Sequence, residues 1–394
     1  MAMITFEEAF QTALNAVRPM GIETIPLTEA CGRILAQEIV ADMAMPPFNR
    51  AMVDGFACRR CDLEQTLLIT ETIAAGYFSD KSVHPGECVQ IMTGAPVPDG
   101  ADCVFMVEHS EQIDDTHVKF VNKSTNDNIA TLGEDVQPED LMLQPGHMIR
   151  PQDIAILASM GYPDVLISQR PRVGVIATGD ELVEPSMTPT TAQIRNSNAY
   201  ALCAQVNTAG CISHYEGVAR DNEASLREII SAALDRNDVV LLSGGVSMGK
   251  FDLVPGILKE HGIDILYDRV AVQPGKPTTF GLSDQAFCWG LPGNPVATFT
   301  IFELVVKAFL YRMMGHDYTP PTIRMPLAED IKRRNSGRTA WIPVTTTPKG
   351  ELARVAYHGS AHINAMSYAE GLIPFPEGHT ELPKGTLVNV RLIR

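Results

Sequence analysis

Asp238-Val-Val-Leu-Leu-Ser-Gly-Gly-Val-Ser-Met-Gly-Lys-Phe-Asp252 is the stretch on which the fold turns. Val239 to Leu242 is an unbroken apolar run that opens with β-branched residues. A strand buried on both faces of a parallel sheet has this pattern. Ser243-Gly244-Gly245 follows directly. Adjacent glycines place no side chain over their N–H groups, so an anion can approach closely. Ser247 adds a hydroxyl, Lys250 a charge, and Asp252 a carboxylate at the expected start of the next helix. Open α/β sheets bind ligands beyond the carboxyl ends of their strands. Taken alone, the stretch is equally a glycine turn between strand and helix.

Two further stretches have the same texture. Val272-Gln273-Pro274-Gly275-Lys276-Pro277 carries glycine and lysine at a strand end, and Trp289-Gly290-Leu291-Pro292-Gly293-Asn294-Pro295 leaves a strand for a helix. Pro295 falls near the first helical position, where proline fits best. From Arg172 to Met314 the pattern alternates. Strands are expected at Val173 to Ala177, Cys211 to Val218, Val239 to Leu242, Ile265 to Val272 and Ala286 to Leu291. Helices are expected over Asn196 to Asn207, from an Asp221 cap to Leu234, over Leu253 to His261, and from Pro295 to about Met313. Such alternation predicts a three-layer domain over 171–316, a parallel sheet with helices on both faces.

The flanking regions read differently. Thr5-Phe-Glu-Glu8 is a capping box ahead of a helix whose apolar stripe is Phe6, Phe10, Ala13, Leu14 and Val17. A second short helix is expected over Thr28 to Ile39, and a third over Gln152 to Met160. Residues 1–45 and 136–170 are therefore expected to form a discontinuous helical N-terminal domain. Residues 46–135 are read as a β-rich domain inserted into it, punctuated by Pro85-Gly86, Gly94, Pro96, Pro98 and Asp99-Gly100. Strands at Val344 to Thr347, Ala353 to Tyr357, Leu372 to Phe375 and Leu387 to Ile393 predict a C-terminal β-barrel domain over 317–394. The fold class is thus α/β multidomain.

The 394 residues are 45% hydrophobic and 20% charged, ordinary for a globular chain, with a net charge of −16. That balance excludes a general nucleic-acid binder, which needs a basic face. It also requires any anion site to be locally positive or to use backbone N–H groups. Of eight cysteines only Cys58 and Cys61 are closely spaced, and no second C-x-x-C completes a zinc site. Free thiols in a reducing compartment are expected. No run reaches the roughly 20 apolar residues of a membrane span. The start of the chain, with Glu7 and Glu8, does not read as a signal peptide. A cytoplasmic protein is expected. His358 and His362 read as loop polarity rather than a metal pair.

The acids carry the chemistry. Thr178-Gly179-Asp180-Glu181-Leu182 puts two carboxylates at a strand end, while Asp221 and Asp252 begin later elements of the same sheet. Carboxylates converging near a phosphate suit Mg²⁺, which takes oxygen ligands from protein, water and substrate. Helix capping or a solvated sheet edge is the alternative for each.

S-G-G-V-S-x-G-x-x-D, P-G-K-P and G-L-P-G-N-P, in this order and spacing, resemble the molybdopterin molybdenumtransferase family. That family includes bacterial MoeA and the E domain of gephyrin-type proteins. Ile91-Met-Thr-Gly-Ala-Pro-Val-Pro98 and Gly133-Glu-Asp135 match its pattern, and Phe48 to Ala57 resembles its F-D-R-S-x-x-D-G-Y-A. The resemblance implies Mg²⁺-dependent insertion of molybdate into adenylylated molybdopterin, with release of AMP. It assigns catalysis to Asp54, Thr93, Glu181 and Asp252, and metal binding to Glu181, Asp221 and Asp252. Substrate binding falls to Gly179 and Asp180, to Ser243, Gly244, Gly245 and Ser247, to Gly275 and Lys276, and to Pro292, Gly293, Asn294 and Pro295. It further implies a homodimer in which Asp54 and Thr93 reach the partner's groove. An enzyme supplying the adenylylated pterin and molybdoenzymes or their chaperones are the implied partners, with no nucleic acid and no membrane.

The chain departs from the pattern at Asn49 and Ala51, and at Ala130-Thr131-Leu132, where the family carries an arginine run. Gln273 replaces the first lysine of K-P-G-K, and Pro343 stands near an expected arginine after Gly337-Arg338 and Trp341. Lys250, Arg195, Lys276 and Arg338 are the cations left to compensate. A non-catalytic pterin-binding or carrier paralogue of the same fold, and a tungstate-specific insertase, are the alternative readings.

Overall fold

The computed structural model describes residues 2–245, 253–334, 337–356, 359 and 361–393. Ser247, Lys250, Asp252 and His358 lie outside the described residues.

Six strands make the central sheet: β1 (Arg172–Thr178), β2 (Ile212–Ala219), β3 (Val239–Ser243), β4 (Asp264–Tyr267), β5 (Thr279–Leu282) and β6 (Phe287–Leu291). Their spatial order is β2-β1-β3-β6-β5-β4. β2, β1, β3 and β6 run parallel, with Val239 opposite Val173 and Phe287. Every residue of β3 is buried. Because side chains alternate across a strand, β1, β3 and β6 feed two cores. Val173, Val175, Val239, Leu241, Phe287 and Trp289 pack on one face with the helix Asn198–Thr208 and the consecutive helical segments Pro295–Ile301, Phe302–Val306 and Lys307–Met313. Ile176, Val240, Leu242 and Cys288 pack on the other with the helices Glu223–Arg236 and Val254–Glu260.

The sheet is mixed, not parallel throughout. β5 pairs antiparallel with both β6 and β4. β5 has no counterpart among the expected strands. Ser283 to Ala286 close it onto β6 as a hairpin, with the Ser283 N–H donating to the Ala286 carbonyl at 2.9 Å. A connection this short permits only antiparallel pairing. The expected strand Ile265 to Val272 is also divided, because Val272–Gln273 pairs instead with Thr339 and Ala340 of the C-terminal sheet. The helix Glu223–Arg236 is capped by Asn222, whose side chain accepts from the Ser225 N–H at 3.0 Å. Asp221 does not cap it.

The N-terminal region is not predominantly helical. It holds the helices Phe6–Asn15, with the expected Thr5/Glu8 capping box, and Pro151–Ser159. Around them Ile22–Pro26 pairs with Asp164–Ser168, and Ile39–Val40 with Leu141–Leu143. The expected helix over Thr28 to Ile39 is absent. Its backbone N–H groups serve distant segments: Gly32 donates to Ile149, Leu35 to His147 and Ala36 to Leu166 of the strand Asp164–Ser168. Ile34, Leu35 and Ile39 are buried as a result. Donors already used on distant segments cannot build an i→i−4 ladder.

Between these pieces lies a six-stranded sheet ordered Cys103–Met106, Gly55–Cys58, Glu87–Ile91, Thr66–Ile73, His117–Phe120, Ser110–Gln112. All eight cysteines are free thiols. In the C-terminal region Thr339–Thr346, Gly371–Phe375, Leu387–Leu392 and Thr322–Pro326 form one ladder. A bridge from Leu327 to Leu352 wraps that ladder around a core that includes Val344, Ile373 and Phe375. Among the described residues no helix is long and apolar enough to cross a membrane.

Phe280, on the strand missing from the sequence-based expectation, is the hub of an aromatic cluster. Its ring lies 4.5 Å from Trp289, 5.6 Å from Phe309 and 5.7 Å from Tyr267. Phe280→Ala is expected to cost about 3–5 kcal/mol. A lowered urea midpoint would show it, and a loss under 1 kcal/mol would mean the cluster is not a packing centre.

Candidate functional site

The carboxyl ends of β1, β3 and β6 open into one cleft of about 800 Å³. β1 delivers Thr178, Gly179 and Glu181; β3 delivers Ser243, Gly244 and Gly245; β6 delivers Pro292, Gly293, Asn294 and Pro295. Asp221, just past β2, completes the acidic side. Ten expected site residues therefore share one space, although they come from four separate strand ends.

The two glycines are held by local geometry. Gly244 has φ +96° and Gly245 φ +61°. A Cβ on Gly244 would lie 2.8 Å from both the carbonyl oxygen and Oγ1 of Thr178. The turn is thus pressed against the end of β1, and only glycine meets both constraints. One feature departs from the sequence reading. The Gly244 N–H donates to the Leu291 carbonyl at 3.1 Å, so it is committed to holding two strand ends together.

Asn198, in the first turn of its helix, links the same two loops. Its Nδ2 donates to Ser243 Oγ and to the Gly293 carbonyl, each at 2.8 Å. The sequence marked this stretch only as a helix expected over Asn196 to Asn207. Nothing in the pattern pointed to Asn198, because its partners lie 45 and 95 residues away.

Asp180 and Asp221 face each other across the rim without both lining the cleft. The Asp221 N–H donates to Asp180 Oδ1 at 3.2 Å, and the Asp180 N–H to Asp221 Oδ2 at 3.4 Å. Among the described residues no three His, Cys, Asp or Glu side chains gather as a metal cage. Mg²⁺ does not need one. It commonly uses one or two carboxylates and completes its shell with phosphate and water. Glu181 and Asp221, both exposed in the cleft, fit that donor set.

Other expected residues lie elsewhere. Gly275 is buried with φ +120°, and Thr278 Oγ1 donates to its carbonyl at 2.7 Å. Lys276 is exposed, and only its neighbour Pro277 lines the cleft. Asp54 and Thr93 are brought to each other rather than to the cleft. Both Thr93 N–H (2.6 Å) and Oγ1 (2.8 Å) donate to Asp54 Oδ1. These bonds, the backbone one foremost, hold the Asp54 carboxyl below its ordinary value. Ile194, Arg195, Ala361 and Ile363 also line the cleft. The last two come from the C-terminal region, a contribution that no motif announced.

A mixed α/β sheet whose strand ends meet in one acid-rimmed, glycine-floored cleft defines a multidomain α/β protein of the ligand-binding kind. The family model for the MoeA N-terminal region (domains I and II) matches residues 4–161. A probable molybdopterin binding domain matches 174–312, and the MoeA C-terminal region (domain IV) 324–393. The molybdopterin molybdenumtransferase of Staphylococcus aureus (strain Mu50) is 34% identical over 400 residues, 99% of this chain and 95% of the relative. That of Bacillus subtilis (strain 168) is 32% identical, covering 99% and 94%. The crystal structure of a molybdopterin biosynthesis MoeA protein from Pyrococcus horikoshii OT3 superposes with a TM-score of 0.85 at 28% identity, covering all of both chains. The chain belongs to the molybdopterin molybdenumtransferase family, whose named members are transferases.

Gly244→Ala is expected to destabilise the chain by at least about 1 kcal/mol, read as a lower urea midpoint. An unchanged midpoint would show that the turn tolerates a side chain. Thr93→Ala is expected to raise the Asp54 pKa toward its ordinary value in a ¹³C-carboxyl NMR titration. Because the folded value is depressed, the contact's contribution is present above the unfolded pKa. It is lost as the pH falls through the folded value. An Asp54 titration identical in the variant would contradict this.

Proposed function

We propose that the chain is a molybdopterin molybdenumtransferase: it binds adenylylated molybdopterin in the cleft, water cleaves the phosphoanhydride to release AMP, and molybdate bonds to the two dithiolene sulfurs as one of its oxygens leaves as water with the thiol protons. The observation that carries this reading is the convergence of Gly179 and Glu181 after β1, Ser243-Gly-Gly245 at the end of β3 and Pro292-Gly-Asn-Pro295 after β6 on one 800 Å³ space. The family membership supports the same reaction.

The chain's own residues position the substrate. Ser243 Oγ is oriented by Asn198, and Pro292 and Pro295 fix the course of the opposing loop. A ligand spanning these loops has its phosphoanhydride beside Glu181 and Asp221, and holding the reacting groups in register supplies much of the rate. Mg²⁺, held by those two carboxylates and the substrate's phosphates, would offset the charge that develops on the leaving group. Asp252 is assigned to the same set by family resemblance. Molybdate is substrate, and Lys276 and Arg338 are the cations offered to it. Arg338 Nη1 donates to the Val272 carbonyl at 3.2 Å, which draws it toward the turn that carries Lys276. Asp54 and Thr93 form a tight pair in the turns flanking a different sheet, so their catalytic assignment is proposed to act through a second subunit. A homodimer placing that pair over the partner's cleft is part of the proposal, as are delivery by an adenylylating enzyme and hand-over to molybdoenzymes or their chaperones.

One observation favours a second reading. Gln273 and Pro343 are neutral where the family pattern carries cations, in a chain of net charge −16. A pterin carrier would need the cleft but not the oxyanion site. Adenylylated molybdopterin, Mg²⁺ and molybdate supplied together are expected to give AMP. Tight pterin binding without AMP release would leave the carrier reading. Glu181→Gln and Asp221→Asn should each slow AMP release on the order of a hundredfold while leaving the melting temperature unchanged. Parallel loss of melting temperature and rate would assign these acids to the fold instead.

A further inference from the structure

We propose that Arg195 is the residue that recognises the phosphate in the cleft; this rests on the cleft being the phosphate-ester site described above. Arg195 is the one cation among the described lining residues, beside the carboxylates Glu181 and Asp221. A phosphate in a cleft with two acids, in a chain of net charge −16, needs positive charge beyond what one Mg²⁺ shared with those acids would supply, and Arg195 is the side chain placed to give it. The backbone is only a partial substitute, since the Gly244 N–H is already bonded to Leu291.

Arg195 is exposed, yet its backbone is held on both sides. The Ile194 N–H donates to the Glu181 carbonyl at 2.9 Å, and the Asn196 N–H to the Val183 carbonyl at 2.8 Å. Asn196 is only 2% exposed, and its Nδ2 donates to the Tyr215 hydroxyl at 3.0 Å. That hydroxyl in turn donates to Glu184 Oε1 at 2.5 Å, and the Tyr200 hydroxyl donates to Glu184 Oε2 at 2.7 Å. The segment carrying Arg195 is thus pinned to the sheet by a chain of side-chain bonds. Arg195 Nε donates to the Met187 carbonyl at 3.1 Å, which leaves both Nη groups outside any ion pair among the described residues. A guanidinium with its Nε anchored and its two Nη groups open offers parallel donors that match two phosphate oxygens. Lysine would supply the charge without the fork.

The test is titration calorimetry of the full chain with AMP, inorganic pyrophosphate and adenosine, at two salt concentrations. Wild type should bind AMP and pyrophosphate with an affinity that falls as salt rises. Arg195→Ala should weaken both by roughly 10- to 100-fold, Arg195→Lys should weaken them less, and adenosine should be unaffected. Melting temperatures should match, since the side chain is exposed. AMP and pyrophosphate binding equal in wild type and Arg195→Ala would overturn the assignment of Arg195 while leaving the cleft reading intact. Equal loss for adenosine and AMP would also overturn it, because the change would then lie in the wall rather than in phosphate recognition. Wild type that binds neither AMP nor pyrophosphate at millimolar concentration would overturn both this inference and the reading beneath it.

Discussion

Double-sided burial of the three central parallel strands, β1, β3 and β6, is the constraint from which the site follows. Val239, Val240, Leu241 and Leu242 are all fully buried, alternately feeding two separate cores. A strand gripped on both faces cannot shift register by one residue without exchanging those two sets of side chains. The in-register pairing of β3 with β1 and β6 therefore fixes where each of them ends. The loops that begin at Thr178, Ser243 and Leu291 are delivered to one edge for that reason. The floor of the cleft is a consequence of that packing, and the Asn198 and Gly244 hydrogen bonds then fix its two loops.

Electrostatics then sets what the cleft can hold. Glu181 and Asp221 make it suitable for a divalent cation and hostile to a bare anion. In the proposed reading a phosphate and a divalent cation would each lower the cost of holding the other in that space. The backbone is partly occupied with structure. Gly244 spends its N–H on Leu291, and Asn198 spends both protons of its amide on Ser243 and Gly293. Those bonds keep the loops after β3 and β6 at fixed separation. They also shift the task of recognising charge onto side chains.

The parts of this architecture visible in the sequence were those written locally. The apolar run at Val239, the capping box at Thr5 and the proline at the start of the Pro295 helix are all short-range signals, and each appears where expected. Long-range pairing was not visible. β5 was missed because a strand joined to its neighbour by four residues leaves no room for the β-α alternation being sought. The segment after Thr28 looked helical because its apolar residues are spaced much as a helix would space them. In fact its donors serve Ile149, His147 and Leu166, more than a hundred residues away. The same distinction divides the site. Motif residues at strand ends were legible, and ten of them share the cleft. Arg195 was noted only as a spare cation, Asn198 not at all, and Ala361 and Ile363 arrive from another region of the chain.

Family membership and the cleft geometry meet in a single claim, that the phosphate of the substrate lies between the loop after β3 and the loop after β6. A crystal structure of the chain with AMP and Mg²⁺ tests it most directly. The account predicts the phosphate in the 800 Å³ cleft between Ser243 and Asn294, with Glu181 or Asp221 on the ion. Ordered AMP at any other surface, with that cleft empty, would contradict it.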